Sequence, residues 1–141
     1  MEFKKVKERL RTYNALQSQI RFLEADAIRF SKEIYAPLKS TMRATASYVD
    51  TSKTALILSM CNDIISRMYE RIEELKRAQS VIFDAIRQLS FLEQAVVSCY
   101  YIHGLSWIEV SAKLHFSERQ LQRVMRSALS NLNDIWFGAV A

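Results

Sequence analysis

Apolar residues spaced alternately three and four apart run twice through this 141-residue chain, and the two stripes predict most of its architecture. The first stripe is Phe3, Val6, Leu10, Tyr13, Leu16, Ile20, Leu23, Ala27, Phe30 and Ile34, with one repeated step of three between Tyr13 and Leu16. Such a stammer overwinds a coiled coil locally without ending it. The second stripe, Leu58, Cys61, Ile65, Met68, Ile72, Leu75, Gln79, Ile82, Ile86 and Leu89, keeps the alternation without a slip. Two helices of nearly equal length joined by a loop predict a long antiparallel, coiled-coil-like hairpin over residues 1–89.

Between the stripes the period fails. APLKSTMRATASYVDTS holds the only proline, Pro37, which is expected to stop the first helix nearby. A loop is expected over about 36–52, either without regular structure or carrying a short helix around 42–49. Ile57, Ile64, Ala78, Val81 and Ala85 lie beside the second stripe and widen the apolar face beyond a two-stranded seam, which favours a homo-oligomer. Gln79, at a core position, either sets the register or reaches solvent at a splayed seam.

After Leu89 the pattern shortens. Three capping boxes follow, in which a serine hydroxyl and a Glu or Gln three residues later satisfy each other's free amides: Ser90 with Glu93, Ser106 with Glu109, and Ser117 with Gln120. The first opens FLEQAVVSCYYIH, a helix expected to close at Gly104. The second and third frame two short helices with a turn near His115, a helix-turn-helix spacing. Ile108, Val110 and Leu114, then Phe116 in the turn, then Leu121, Val124, Ala128 and Leu129 form the expected apolar faces. Ser111 falls where two crossing helices need a small side chain. Tyr100, Tyr101 and Trp107 read as packing rather than as a base-stacking platform. Ile135, Trp136 and Phe137 are too apolar for a solvated tail and either pack back or form a docking patch. The expected class is therefore all-α, with a helix-turn-helix domain over residues 90–141.

The outward positions of the last helix are Glu118, Arg119, Gln122, Arg123 and Arg126, types that reach base edges and phosphates. With Ser117 and Gln120 at the helix start they form the expected DNA-binding set.

An apolar helix followed by YIHGLSW, IEVSAKL and HFSERQLQRVMRSAL, Tyr101 to Leu129, resembles the DNA-binding region 4 of sigma factors. More closely, it resembles the phage and prophage late-gene transcription regulators of the RinA, ArpU and LtrC type. Tyr101, Gly104, Ser106 and Trp107 match that group's tyrosine and glycine before a Ser-Trp helix start, and Ser117, Glu118 and Arg119 match its recognition-helix opening. Two positions depart: His115 stands where the group has glycine and Ser111 where it has alanine. The specific likeness covers the last third of the chain. It implies a double-stranded-DNA-binding transcription regulator, an activator of late genes, with bacterial RNA polymerase as a further partner.

Composition adds limits. Two glycines and one proline favour long helices over sheets. The charged start MEFKKVKERL and the absence of any long apolar run predict neither signal peptide nor membrane span and a cytoplasmic location, which the resemblance implies is that of a bacterial host cell. Cys61, Cys99, His103 and His115 lack zinc-ligand spacing, so buried free thiols and no metal are expected. No phosphate loop or catalytic cluster stands out, so neither an enzyme nor a cofactor is expected. The net charge is +5, yet residues 91–141 balance Lys113, Arg119, Arg123 and Arg126 against Glu93, Glu109, Glu118 and Asp134. A neutral reading head implies weak binding by one copy. That neutrality keeps a second class open, a coiled-coil adaptor for RNA polymerase or another regulator in which DNA contact is secondary.

Overall fold

The fold, described by a computed structural model over residues 3–44 and 51–138, is all-helical, with no strand among the described residues. Its helices are α1 (Lys4–Arg29), α2 (Ala36–Ala44), α3 (Thr51–Arg87), α4 (Phe91–Val97), α5 (Trp107–Leu114) and α6 (Glu118–Phe137). Two π-helical segments, Phe30–Tyr35 and Ser98–Ile102, continue α1 into α2 and extend α4.

Pro37 does not end the first helix. The amide of Ala36 donates to the carbonyl of Ser31, five residues back, so the turn entering the proline is wider than an α-turn. A proline lacks the donor for the carbonyl four residues back and crowds it, and π-register is one way a helix accommodates that defect. The expected loop is therefore helical through Ala44. Residues 45–50 lie outside the described residues.

The chain forms two compact units, residues 1–17 with 78–141, and residues 18–77, rather than dividing at residue 89. In the second unit Ile20 and Ala27 of α1 and Cys61, Ile72 and Leu75 of α3 are buried, all members of the predicted stripes. Ile34, at the end of the first stripe, is exposed, and so are Ile57 and Ile64.

The first unit holds the larger core. Val6 and Leu10 of α1 are fully buried with Ile82, Ala85, Ile86 and Leu89 at the end of α3 and with the apolar faces of α4, α5 and α6. Gln79 donates to Gln17 at 2.5 Å across 62 positions of sequence, so the chain leaves along α1 and returns along α3 at the same level, as an antiparallel hairpin requires. That pairing ties the half-buried Gln79 side chain to the facing helix, as a register-setting amide would be.

A buried carboxylate ties α4 to α6. Glu93 closes its capping box by accepting from the Ser90 amide at 3.2 Å, while its other oxygen accepts from Asn131 at 2.8 Å and Ser127 at 3.2 Å. Burial pushes its pKa up, but donors from Ser90, Asn131 and Ser127 outweigh burial and hold it below the ordinary carboxylate value. Because the folded pKa is the lower one, its stabilisation is present above the unfolded carboxylate pKa and lost as pH falls through the folded value. Glu93→Gln should cost about 1–3 kcal/mol, the range for removing a charged hydrogen-bond acceptor, and flatten this acid limb. Chemical denaturation followed between neutral and acid pH checks both; a variant with unchanged stability and acid limb contradicts the role.

Candidate nucleic-acid interface

The two-helix corner is built by local chemistry. All three predicted capping boxes are formed: the Ser90, Ser106 and Ser117 hydroxyls accept from the amides of Glu93, Glu109 and Gln120 at 3.2–3.3 Å, and each partner side chain accepts from the serine amide. Gly104, at φ +67°, closes the segment before α5, with the Leu105 amide donating to Cys99 at 3.0 Å. A glycine takes that left-handed conformation without steric penalty.

The turn between α5 and α6 carries the same conformation on a residue that resists it. His115 sits at φ 62° and ψ 35°, its amide bonded to the Ser111 carbonyl. The Ser111 hydroxyl donates to the carbonyl of Phe116 at 2.5 Å, a bridge that an alanine would not supply. Ser111 is thus a tie across the turn as well as a small residue at the crossing.

The apolar faces are largely as expected, with two corrections. Val110, Leu121, Ala128 and Leu129 are buried and Leu114 and Val124 half-buried, but Ile108 is 73% exposed and Phe116 41% exposed. In α5 the inward row is Trp107, Val110, Ser111 and Leu114, at steps of three, one and three; Ile108 stands about 100° round the helix from Trp107 and falls outside it. Met125, buried at 5%, completes the α6 face, and its place four residues after Leu121 and three before Ala128 was a signal for it in the sequence. Tyr100 stacks on Trp107 at 4.6 Å and meets Tyr101 edge-on at 5.0 Å, and all three pack into the core. Burial raises the Tyr101 pKa, against the opposing effect of Arg11. Trp136 packs back on the core with Arg9 over its ring at 5.2 Å, whereas Ile135 and Phe137 remain partly exposed.

All seven expected DNA-binding residues are exposed, but they are not equivalent. Ser117 and Gln120 spend their hydroxyl and side-chain carbonyl on the cap. Arg119, Arg123 and Arg126 fall within an arc of roughly 60° opposite the buried row, while Glu118 and Gln122 lie nearer its edge. Glu118 occupies the first turn, where a negative charge complements the helix dipole. Among the described residues neither recorded salt bridge involves any of the three arginines.

The electrostatic expectation changes with the fold. Residues 91–141 are balanced, but the same compact unit includes Lys4, Lys5, Lys7, Arg9 and Arg11 against Glu2 and Glu8. The compact unit that holds α6 is therefore a basic body, not a neutral one. Cys61 and Cys99 are buried free thiols, and no cluster of three metal-ligating side chains exists among the described residues. None of the described helices is long and apolar enough to cross a membrane.

His115→Gly should stabilise the fold by about 1 kcal/mol, the strain of a left-handed non-glycine residue less glycine's greater unfolded freedom. Thermal unfolding of the two proteins measures it; a lower melting temperature in the variant means that the imidazole makes a compensating contact.

Set against protein families, curated proteins and solved structures, the chain matches none of them.

Proposed function

We propose that this protein is a sequence-specific double-stranded-DNA-binding transcription regulator, an activator of phage or prophage late genes as its resemblance implies. The observation that carries this reading is the solvent-facing arc of Arg119, Arg123 and Arg126 on α6, a helix set by a formed cap and a tied turn. Guanidinium groups on one face of a helix can bond guanine edges bidentately in a major groove, and adjacent ones can hold phosphates. The basic charge of the whole head supports it, because phosphate attraction supplies most of the affinity.

One observation favours a second reading, the adaptor that binds bacterial RNA polymerase. Phe91, 91% exposed, and Ile108, 73% exposed, are large apolar side chains on the same head and suit a protein partner. In footprinting with and without polymerase at two salt concentrations, the autonomous reading expects protection by the protein alone, steeply weakened by salt. Protection that needs polymerase and ignores salt replaces it with the adaptor. Arg123→Ala should cost about 1–3 kcal/mol on the selected site with helix content unchanged. Equal affinity for that site removes Arg123 from base reading.

Self-association belongs to the same proposal. Ile57, Met60 and Ile64 lie on one strip of α3, each more than 40% exposed, beside the buried stripe of Cys61 and Ile72. A second copy is the occupant that would bring two heads to neighbouring half-sites and raise the effective concentration of the second contact. Ile57→Lys with Ile64→Lys should leave the protein helical and lower its mass in sedimentation equilibrium; an unchanged mass rejects this strip as the seam.

A further inference from the structure

We infer that Lys7 and Arg11 of α1 form a second, sequence-independent part of the DNA interface, binding duplex phosphate beside the recognition helix; this rests on the DNA-binding reading above. The sequence separates these residues from α6 by more than 100 positions, and only the fold joins them.

Three observations place the Lys7 face of α1. Positions 7, 11 and 14 follow one another at steps of four and three, so they share one side of the helix. The Asn14 side chain donates to the Tyr101 carbonyl at 2.7 Å, which pins that side against the π-helical segment before α5. Arg11 is close enough to the Tyr101 hydroxyl to act on its charge. At the other end of the row, half-buried Lys7 lines a cleft of about 220 Å³ together with Gln122 and Arg126 of α6, over Tyr100 and Trp107.

The charge of this cleft asks for an anion. Lys7 and Arg126 both line it, no carboxylate does, and neither cation has a salt bridge among the described residues. Like charges held on one small concavity repel unless a counter-charge lies between or over them. The opposite side of α1 is different: the groove bordered by Lys5 and Arg9 includes Glu8, and Arg9 is engaged over Trp136 and Phe137 at 5.2 and 4.9 Å. The Lys7 side sets its positive charge beside Arg126 of α6 in a cleft that no carboxylate lines. A duplex phosphate is an anion that would come there with α6 already in place, since backbone phosphates flank any major groove a helix enters.

The test measures the salt dependence of binding to two duplexes, the site selected by the full-length protein and a scrambled sequence. Lys7→Gln should weaken both about three- to tenfold and lower the slope of log affinity against log salt by about one, leaving the ratio between the duplexes unchanged. Lys7→Arg should restore the slope. Lys32→Gln, which removes the same charge from an exposed position in the other unit, should leave the slope as it is. Should Lys7→Gln lower the melting temperature, Arg11→Gln, at an exposed side chain, makes the same measurement. A Lys7 variant indistinguishable from the Lys32 variant overturns the inference. It does so alone if Arg123→Ala still erodes discrimination between the duplexes; a wild-type protein that binds neither duplex overturns the inference and the DNA-binding reading together.

Discussion

The head depends on the burial of the first turns of α1. Val6 and Leu10 have no exposed surface and sit in one core with Ile86 from α3, Val96 from α4, Val110 from α5 and Leu121 and Leu132 from α6. Burying side chains of that size contributes about 2 kcal/mol each, which four short C-terminal elements would otherwise have to find among themselves. The same contact has an electrostatic consequence. Lys7 follows the buried Val6, so docking the apolar row of α1 also carries this cation into a cleft it shares with Gln122 and Arg126 of α6.

Around that core the α5–α6 corner is stiffened by polar groups placed where helices begin and end. Each of α4, α5 and α6 opens with a reciprocal cap, which satisfies amides that would otherwise need water. Glu93 does two jobs with one side chain: one oxygen closes its own cap and the other takes both donors from α6. Such a group fixes rotation and translation of α6 relative to α4 more sharply than apolar contact, which tolerates sliding. On the proposed function that precision has a use, since displacement of a guanidinium by a fraction of a hydrogen-bond length weakens base discrimination.

The turn shows the opposite economy. His115 holds a left-handed backbone that glycine would take without strain, and Ser111 and the formed cap at Ser117 bracket it with hydrogen bonds. Strain of this kind persists when the surroundings overdetermine the conformation. Here the determinants are local: the bridge to Phe116, the amide of His115 on Ser111, and the reciprocal cap that begins two residues later.

Local physics in the sequence determined the all-helical class, the two stripes, all three capping boxes, the left-handed closure at Gly104 and the outward arginines of α6. Each follows from interactions within about a turn of the chain, which residue type and spacing specify directly. Pro37 was misleading for a related reason: its missing amide is local, but the response, a π-turn that carries the helix through to Ala44, depends on how the preceding backbone relaxes. Ile108 looked apolar and inward, yet its place about 100° round α5 from Trp107 already sets it outside the row of Val110 and Leu114, and Phe116, in the turn, is exposed as well. The role of Glu93 toward Asn131 and Ser127, the pairing of Gln17 with Gln79, and the joining of α1 to the helix-turn-helix were decided by tertiary structure alone. These contacts span from 34 to more than 60 residues and leave no periodic trace. The charge of the unit that holds α6 belongs with them, because a sum over neighbouring residues cannot include cations that arrive from the other end of the chain.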